Sequence, residues 1–204
     1  QYVEINGKTV LQHTIEIFEQ HSRIDLIAVI LSPEDSVFQT ALSEKVRVFR
    51  VGGASRAETV RNGVSVLLEQ GLAEAQDNIL VHDAARCCLS AEALTRLLDE
   101  AGENDEGGIL AIPVADTLKR ADGNHHIDET VARAGLWQAQ TPQLFQTALL
   151  NRALSVDDLS EITDEASAVE KLGIRPRLVR GDTRNLKLTL PQDEYIVRLL
   201  LKAV

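Results

Sequence analysis

Short apolar runs and helix-period stripes take turns along this chain, and that alternation limits its fold more than any other feature. Leu26-Ile27-Ala28-Val29-Ile30-Leu31 is an unbroken apolar run. It is far shorter than the about 20 residues a membrane-spanning helix needs, and it suits a strand buried on both faces. Before it, Val10, Leu11, Ile15 and Phe18 mark one face of a helix over Thr9–Ser22. After it, Ser32 as N-cap and Pro33 at the first position predict a short helix from Pro33 to Leu42. Val46–Val51 alternates apolar and basic residues, as a strand does, and stops at Gly52-Gly53. Ser55-Arg56-Ala57-Glu58 has the S-x-x-E spacing of a capping box. It opens a helix carrying Val60, Val64, Leu67 and Leu68, which Gly71 can stop. Asn78–His82 reads as a strand, Ser90–Ala101 as a helix capped by Ser90, and Gly108–Val114 as a strand. Strand, helix, strand, helix predicts an α/β fold: an open, mostly parallel twisted sheet with helices on both faces.

The alternation breaks after Val114. Asp116–Ala121 and Ile127–Val131 look extended, with the hairpin dipeptide Asp122-Gly123 between them. The segment has little apolar surface to bury, so it predicts a β-arm projecting from the sheet over about residues 115–135. A strand over Leu136–Phe145 resumes the pattern. Helices over Gln146–Leu154 and Thr163–Leu172, a strand over Arg184–Thr189 and a closing helix over Pro191–Ala203 complete it. A length of 204 residues suits one domain, residues 1–204, with the arm as its excursion.

Composition narrows the partners. The net charge is −10 and the pI about 5.0, which disfavours a duplex nucleic-acid binder with its basic face. Aromatic residues make up 3%, too few for a platform that stacks single-stranded bases. A local basic pocket for a small phosphorylated molecule stays open. Cys87 and Cys88 are adjacent, form no disulfide framework, and suit a reducing cytoplasm. The chain has no methionine and opens on Gln1-Tyr2 without a signal peptide, so a start lying upstream or a processed end is expected.

In an open parallel sheet, ligands sit beyond the carboxyl ends of the strands. His82-Asp83-Ala84-Ala85-Arg86 follows the apolar Ile79-Leu80-Val81. A carboxylate there can meet a divalent metal, and an arginine three residues on can clamp phosphate; a capping aspartate beside a surface arginine would read the same. Gly52 and Gly53 allow close backbone approach ahead of the capped helix that holds Arg56 and Thr59, or they simply make a strand-to-helix turn. Lys187 interrupts Asn185-Leu186-Lys187-Leu188-Thr189, and Arg133 flanks the arm; either could be a solvated surface cation. Thr163 is a candidate N-cap, with Asp164 and Glu165 complementing a helix dipole. The five histidines show no metal spacing, and no serine–histidine–acid order or zinc pattern is present.

Taken in order, these segments resemble the 2-C-methyl-D-erythritol 4-phosphate cytidylyltransferase family. The resemblance rests on Gln1-Tyr2, Val51-Gly52-Gly53 with Arg56 and Thr59, Val81-His82-Asp83-Ala84-Ala85-Arg86 and Pro113-Val114-Ala115-Asp116-Thr117-Leu118-Lys119. It continues through Gly135-Leu136-Trp137, Gln140-Thr141-Pro142-Gln143, Ile162-Thr163-Asp164-Glu165-Ala166-Ser167-Ala168 and Asn185-Leu186-Lys187-Leu188-Thr189. It implies a Rossmann-like nucleotide-binding fold and a homodimer joined by the arm. It implies coupling of CTP to methylerythritol phosphate with release of pyrophosphate, magnesium bridging the phosphates. By position, Arg133 and Lys187 would be catalytic, holding the substrate phosphate. Thr117, Thr141 and Thr163 would line its pocket, with Thr117 and Arg133 coming from the second subunit. Asp83 and Arg86 would bind the erythritol hydroxyls and phosphate region, Asp83 being also the nearest metal contact. Gly52, Gly53, Arg56 and Thr59 would bind the nucleotide. Another alditol phosphate such as ribitol phosphate, or a non-catalytic sugar-phosphate subunit, is the alternative reading.

The family's first strand, its glycine-rich loop with an arginine, and a lysine ahead of Gln1-Tyr2 have no counterpart in these residues. A central strand is therefore expected to be missing from a truncated or incomplete chain. Ala54 stands where an acidic residue often follows the glycines, and Cys87 where a proline usually follows the aspartate–arginine motif.

Overall fold

A computed structural model describes residues 1–39 and 43–202. The chain opens on a hairpin not anticipated above: β1 (Glu4–Ile5) pairs antiparallel with β2 (Lys8–Thr9). Its turn residues Asn6 and Gly7 both have positive φ, 52° and 85°, the conformation an Asn-Gly pair adopts most readily. Thr9 and Gln12 then form a capping box for α1 (Val10–Glu19). β3 (Ile27–Ile30) follows. Where a helix from Pro33 was expected, residues 33–39 hold only a turn at Pro33-Glu34. The Asp35 carboxylate accepts the backbone N–H groups of Val37 and Phe38 at 3.1 and 3.0 Å, a local alternative that competes with helix formation. The rest of that expected helix, residues 40–42, lies outside the described residues.

β4 (Val46–Phe49) runs parallel to β3. In α2 (Arg56–Glu69) Ser55 caps as expected, but Glu58 departs from the box: its carboxylate accepts from Ala54 N–H at 2.9 Å. β5 (Asn78–Val81), α3 (Ala91–Ala101) and β6 (Gly108–Pro113) come next. The arm is a two-stranded antiparallel ribbon of β7 (Leu118–Ala121) and β8 (Ile127–Val131). β9 (Trp137–Gln146), α4 (Thr147–Leu154), α5 (Glu165–Glu170), β10 (Arg177–Arg180) and α6 (Asp193–Leu200) follow.

The main sheet has the order β10-β6-β9-β5, with β10 parallel to β6 and β9 antiparallel to both neighbours. The arm explains the reversal. Pro113 pairs with Trp137, and Val114 N–H donates to Leu136 O at 3.0 Å. So β6, arm and β9 form one long excursion that must re-enter the sheet head to tail. Helices cover both faces. Leu144 packs with Leu94, Leu97 and Leu98 of α3, and its neighbour Phe145 packs with Leu149, Leu150 and Ala166 from α4 and α5, as strand alternation requires.

Arg184–Thr189, expected to be a strand, has no ladder. It is an extended segment held by Leu188 N–H to Ala85 O at 2.9 Å. Its Leu186 and Leu188 pack beside Ile5, Val10, Cys87 and Val197, which accounts for the apolar alternation. The ladder belongs to β10, where only Val179 is fully buried. Between β3 and β5 lies a cavity of about 950 Å³, lined by every residue of both strands.

Candidate active site

Asp83 leaves the end of β5, and three cations converge on it. Arg56 Nε, from the first turn of α2, donates to Asp83 Oδ1 at 2.9 Å. Lys187 Nζ lies 3.2 Å from Oδ2, and Arg86 Nε lies 3.4 Å from the same oxygen. Arg56 also reaches the first residue of α5: Nη1 and Nη2 meet the two carboxylate oxygens of Glu165 at 2.7 and 3.1 Å. Arg86 Nη1 donates to Asn185 O at 2.6 Å, tying the extended segment of Lys187 to the loop after β5.

Local bonding dictates this loop. His82 Nε2 lies 2.9 Å from Arg86 O. A carbonyl only accepts, so Nε2 carries the proton and Nδ1 accepts from the Thr141 hydroxyl at 2.9 Å. The Thr141 oxygen in turn accepts Asp83 N–H at 3.0 Å. Burial pushes the His82 pKa down to about 4, so the ring stays neutral in this role.

Arg56, Arg86 and Lys187 face Asp83 and Glu165, leaving one positive charge in excess. Burial alone would raise the Asp83 pKa, but Arg56 and Lys187 outweigh it and hold it at about 2. Burial dominates at Glu165, whose carboxyl lies above its ordinary range despite the Arg56 fork. Burial lowers the Arg86 pKa. At Arg56 burial is outweighed by Glu165 and Asp83, and its pKa is raised. Lys187 keeps 42% and Arg56 35% of its side chain exposed, against 13% for Arg86. These two cations, with Asp83 and Thr59, also line the cavity between β3 and β5.

The structure thus gathers Arg56, Asp83, Arg86, Thr141 and Lys187 in one place. Thr141 is buried and its hydroxyl is committed to His82 and Asp83. Thr163 is exposed, and the N-cap of α5 is Asp164 rather than Thr163. Gly53 N–H donates to Thr59 Oγ1 at 3.0 Å, so these two hold each other. Gly52 is required sterically, since a Cβ there would stand 2.8 Å from Leu31 O. Thr117 and Arg133 are exposed on the arm, and no side-chain hydrogen bond or ion pair to their own chain is found for them among the described residues.

Sequence reasoning missed the reach of Glu165 and the bracing by Gln143. Gln143 is buried, accepts Ala166 N–H at 2.9 Å and donates to Asp164 Oδ2 at 2.9 Å. Gln143 is one of four glutamines in β9, so no local signal singles it out. Asn185 is also buried, with its Oδ1 unpartnered.

The donor set does not suit a metal held by Asp83. An ion would compete there with three cationic side chains, and no cluster of three or more His, Cys, Asp or Glu able to hold one occurs among the described residues.

Comparison with known proteins fits this geometry. The family model described as "IspD: 2-C-methyl-D-erythritol 4-phosphate cytidylyltransferase" matches residues 1–203. A 2-C-methyl-D-erythritol 4-phosphate cytidylyltransferase of Neisseria meningitidis serogroup C is 68% identical, covering 100% of this chain and 90% of the relative. One from Chromobacterium violaceum is 48% identical over 100% of this chain and 89% of its own. Among solved structures, a 4-diphosphocytidyl-2C-methyl-D-erythritol synthase superposes with a TM-score of 0.93 at 66% identity, over 98% of this chain and 93% of that one. The Francisella tularensis cytidylyltransferase superposes with a TM-score of 0.85 at 32% identity, over 98% of this chain and 92% of its own. A match running from the first residue to the last but one, with a relative 68% identical over the whole chain, places the chain in the 2-C-methyl-D-erythritol 4-phosphate cytidylyltransferase family.

Proposed function

We propose that this chain transfers the cytidylyl group of CTP to 2-C-methyl-D-erythritol 4-phosphate, giving 4-diphosphocytidyl-2-C-methyl-D-erythritol and pyrophosphate in non-mevalonate isoprenoid biosynthesis. The observation that carries this is the cation cluster on Asp83 in a chain matched over residues 1–203 by that family. Two anions must meet for the reaction, and their repulsion is the first barrier. An excess positive charge fixed beforehand lowers it without reorganisation during the reaction. A phosphate oxygen of the sugar phosphate attacks the α-phosphorus of CTP and pyrophosphate leaves. No bond to the protein is needed, so positioning and charge do the work.

In this reading Lys187 and Arg133 grip the attacking phosphate. Asp83 holds Lys187 in place and, with Arg86, meets the sugar side. Thr117 and Thr163 line the same pocket, and Thr141 supports it through the Asp83 amide. Gly52, Gly53, Arg56 and Thr59 bind the nucleotide. Magnesium belongs to this reading as a counter-ion of the CTP phosphates. Arg133 and Thr117 act from the second subunit of a homodimer joined by the arm, residues 115–135. The two free cysteines suit a cytoplasmic setting. Among the described residues no helix is long and apolar enough to cross a membrane.

Pyrophosphate release from CTP, measured with methylerythritol phosphate and with ribitol phosphate, tests the assignment. Methylerythritol phosphate is expected to be the better substrate, and Lys187→Ala to abolish most turnover. Preference for ribitol phosphate, or turnover indifferent to Lys187→Ala, would overturn it.

A further inference from the structure

Glu165 has no task in the transfer as set out, yet it is the most buried charged group of the cluster, 1% exposed. A carboxylate in that setting is unfavourable unless it is paired. Its position is set by rigid parts. Asp164 and Ser167 form a reciprocal capping box under it, and Gln143 fastens Asp164 and Ala166, on either side of it, to β9. Both carboxylate oxygens take one nitrogen each of the Arg56 fork, the planar pairing that fixes direction as well as distance.

Arg56 is the more exposed partner. It stands in the first turn of α2 with about a third of its side chain exposed. A guanidinium has five N–H groups. Here Nε serves Asp83 and one N–H on each terminal nitrogen serves Glu165. One N–H on each terminal nitrogen is left over. Released from Glu165, the same fork could close on both oxygens of Asp83, including the one 3.2 Å from Lys187.

We propose that Glu165 is a positioning residue: it holds the Arg56 fork so that Arg56 takes one oxygen of Asp83, leaves the other to Lys187, and keeps its remaining N–H groups for the nucleotide. The inference rests on the reading that Arg56 faces CTP. It deepens that reading by naming what aims the arginine. Glu165 acts through Arg56 and touches no substrate itself.

The test is a double-mutant cycle in the full-chain enzyme, with CTP affinity by calorimetry and steady-state kinetics. Glu165→Gln keeps the shape and removes the charge. It is expected to raise the KM for CTP and lower kcat, together about 10–100-fold, the usual scale for a residue that orients a working group. In an Arg56→Gln background the same substitution should change kcat/KM by less than about twofold, because the group it aims is gone. Glu165→Asp, which keeps the charge on a shorter stem, should recover part of the loss. Wild-type kinetics in Glu165→Gln, or equal losses in both backgrounds, would overturn the proposal. A merely structural Glu165 would lower the active fraction, leave KM alone and repeat its loss in both backgrounds. Should Glu165→Gln not fold, Arg56→Lys decides. It keeps the charge but cannot make the fork, so it should behave like Arg56→Gln; a wild-type KM for CTP would overturn the proposal. Turnover of the wild type with methylerythritol phosphate tests the functional reading separately.

Discussion

The cluster around Asp83 and the arm both carry cations assigned to the same phosphate, but they are built in opposite ways. At the cluster, each charge is fixed by groups distant in sequence: Arg56 by Glu165, Lys187 by Asp83, Arg86 by Asn185 O. Most of it is sheltered, and the protein itself supplies the counter-charges. On the arm, the ion pairing is superficial. Arg120 and Glu129 meet across β7 and β8 with more than half of each side chain exposed, and Arg133 is exposed with no ion pair among the described residues. A preorganised half can be assembled by one chain, whereas a half left open needs a second surface to finish it. That contrast is the physical content of the proposed dimer.

The largest effects should come from the two cations that the contrast sets apart. Lys187→Ala and Arg133→Ala are each expected to lower kcat/KM by about 100-fold or more, the scale for losing a donor aimed at a reacting phosphate. Arg133→Ala should leave the melting temperature within about 1 °C of wild type, since no intrachain partner is lost. Mixing the two inactive variants sharpens the comparison further. If each site takes Lys187 from one subunit and Arg133 from the other, mixed dimers regain one intact site, and random mixing restores about a quarter of wild-type activity. No recovery after subunit exchange would place both cations in one chain.

The second effect concerns the brace beneath the rigid half. Gln143→Leu removes all three bonds of the buried amide, to Gln140 O, Asp164 Oδ2 and Ala166 N–H, leaving Ala166 N–H without its acceptor. An unpaired buried donor costs about 1–3 kcal/mol, so the loss should appear as a fall in urea midpoint at unchanged m-value. The arm offers no position of comparable sensitivity, because little of it is buried.

How much of this contrast the sequence disclosed depended on distance along the chain. Local signals carried well. Ser55 and Ser90 cap their helices, the arm turns between Ala121 and Ile127, though over five residues with His125 rather than Gly123 at positive φ, and the apolar run at Leu26–Leu31 is a strand core. The Asn6-Gly7 hairpin was equally legible and went unread. Long-range facts did not carry. Glu165 fits a helix dipole so well that nothing local points to Arg56, 109 residues away. Leu186 and Leu188 alternate as strand residues do because they share one buried face, but among the described residues no partner strand pairs with them. β10 was missed for the converse reason: Arg177-Leu178-Val179-Arg180 needs only one fully buried side chain, so its ladder with β6 leaves almost no hydrophobic pattern. The reversal of β9 depends on how the arm folds back, which no residue in β9 encodes.

Acid should discriminate the two halves next. Asp83 has a lower pKa in the folded chain, about 2, than the ordinary 3.8. Its ion pairs therefore stabilise fully above the unfolded value and are lost as pH falls from there towards about 2. Glu165 works in the opposite sense: its pKa is raised by burial, so protonation relieves part of the cost of burying its charge. The Asp83 share of stability is about 2 kcal/mol. Between pH 5 and pH 2.5 the wild type should lose about 1–2 kcal/mol more than Asp83→Asn, read by urea unfolding, because the loss from other carboxylates held low, such as Asp182, is common to both.

The smallest effect is the most direct check on the open half. Arg120→Ala breaks the bridge to Glu129, and an exposed pair of this kind is worth about 0.2–1 kcal/mol at most. Within a single chain the change should therefore be near the limit of detection, and it should vanish in high salt. If the arm is instead the dimer contact, the same substitution weakens association: its effect on the monomer–dimer midpoint, followed by sedimentation, should exceed its effect on the unfolding midpoint of the monomer. Equal and negligible effects on both would mean that the arm is solvated on all sides, and the phosphate grip would have to be assembled from the Asp83 cluster alone.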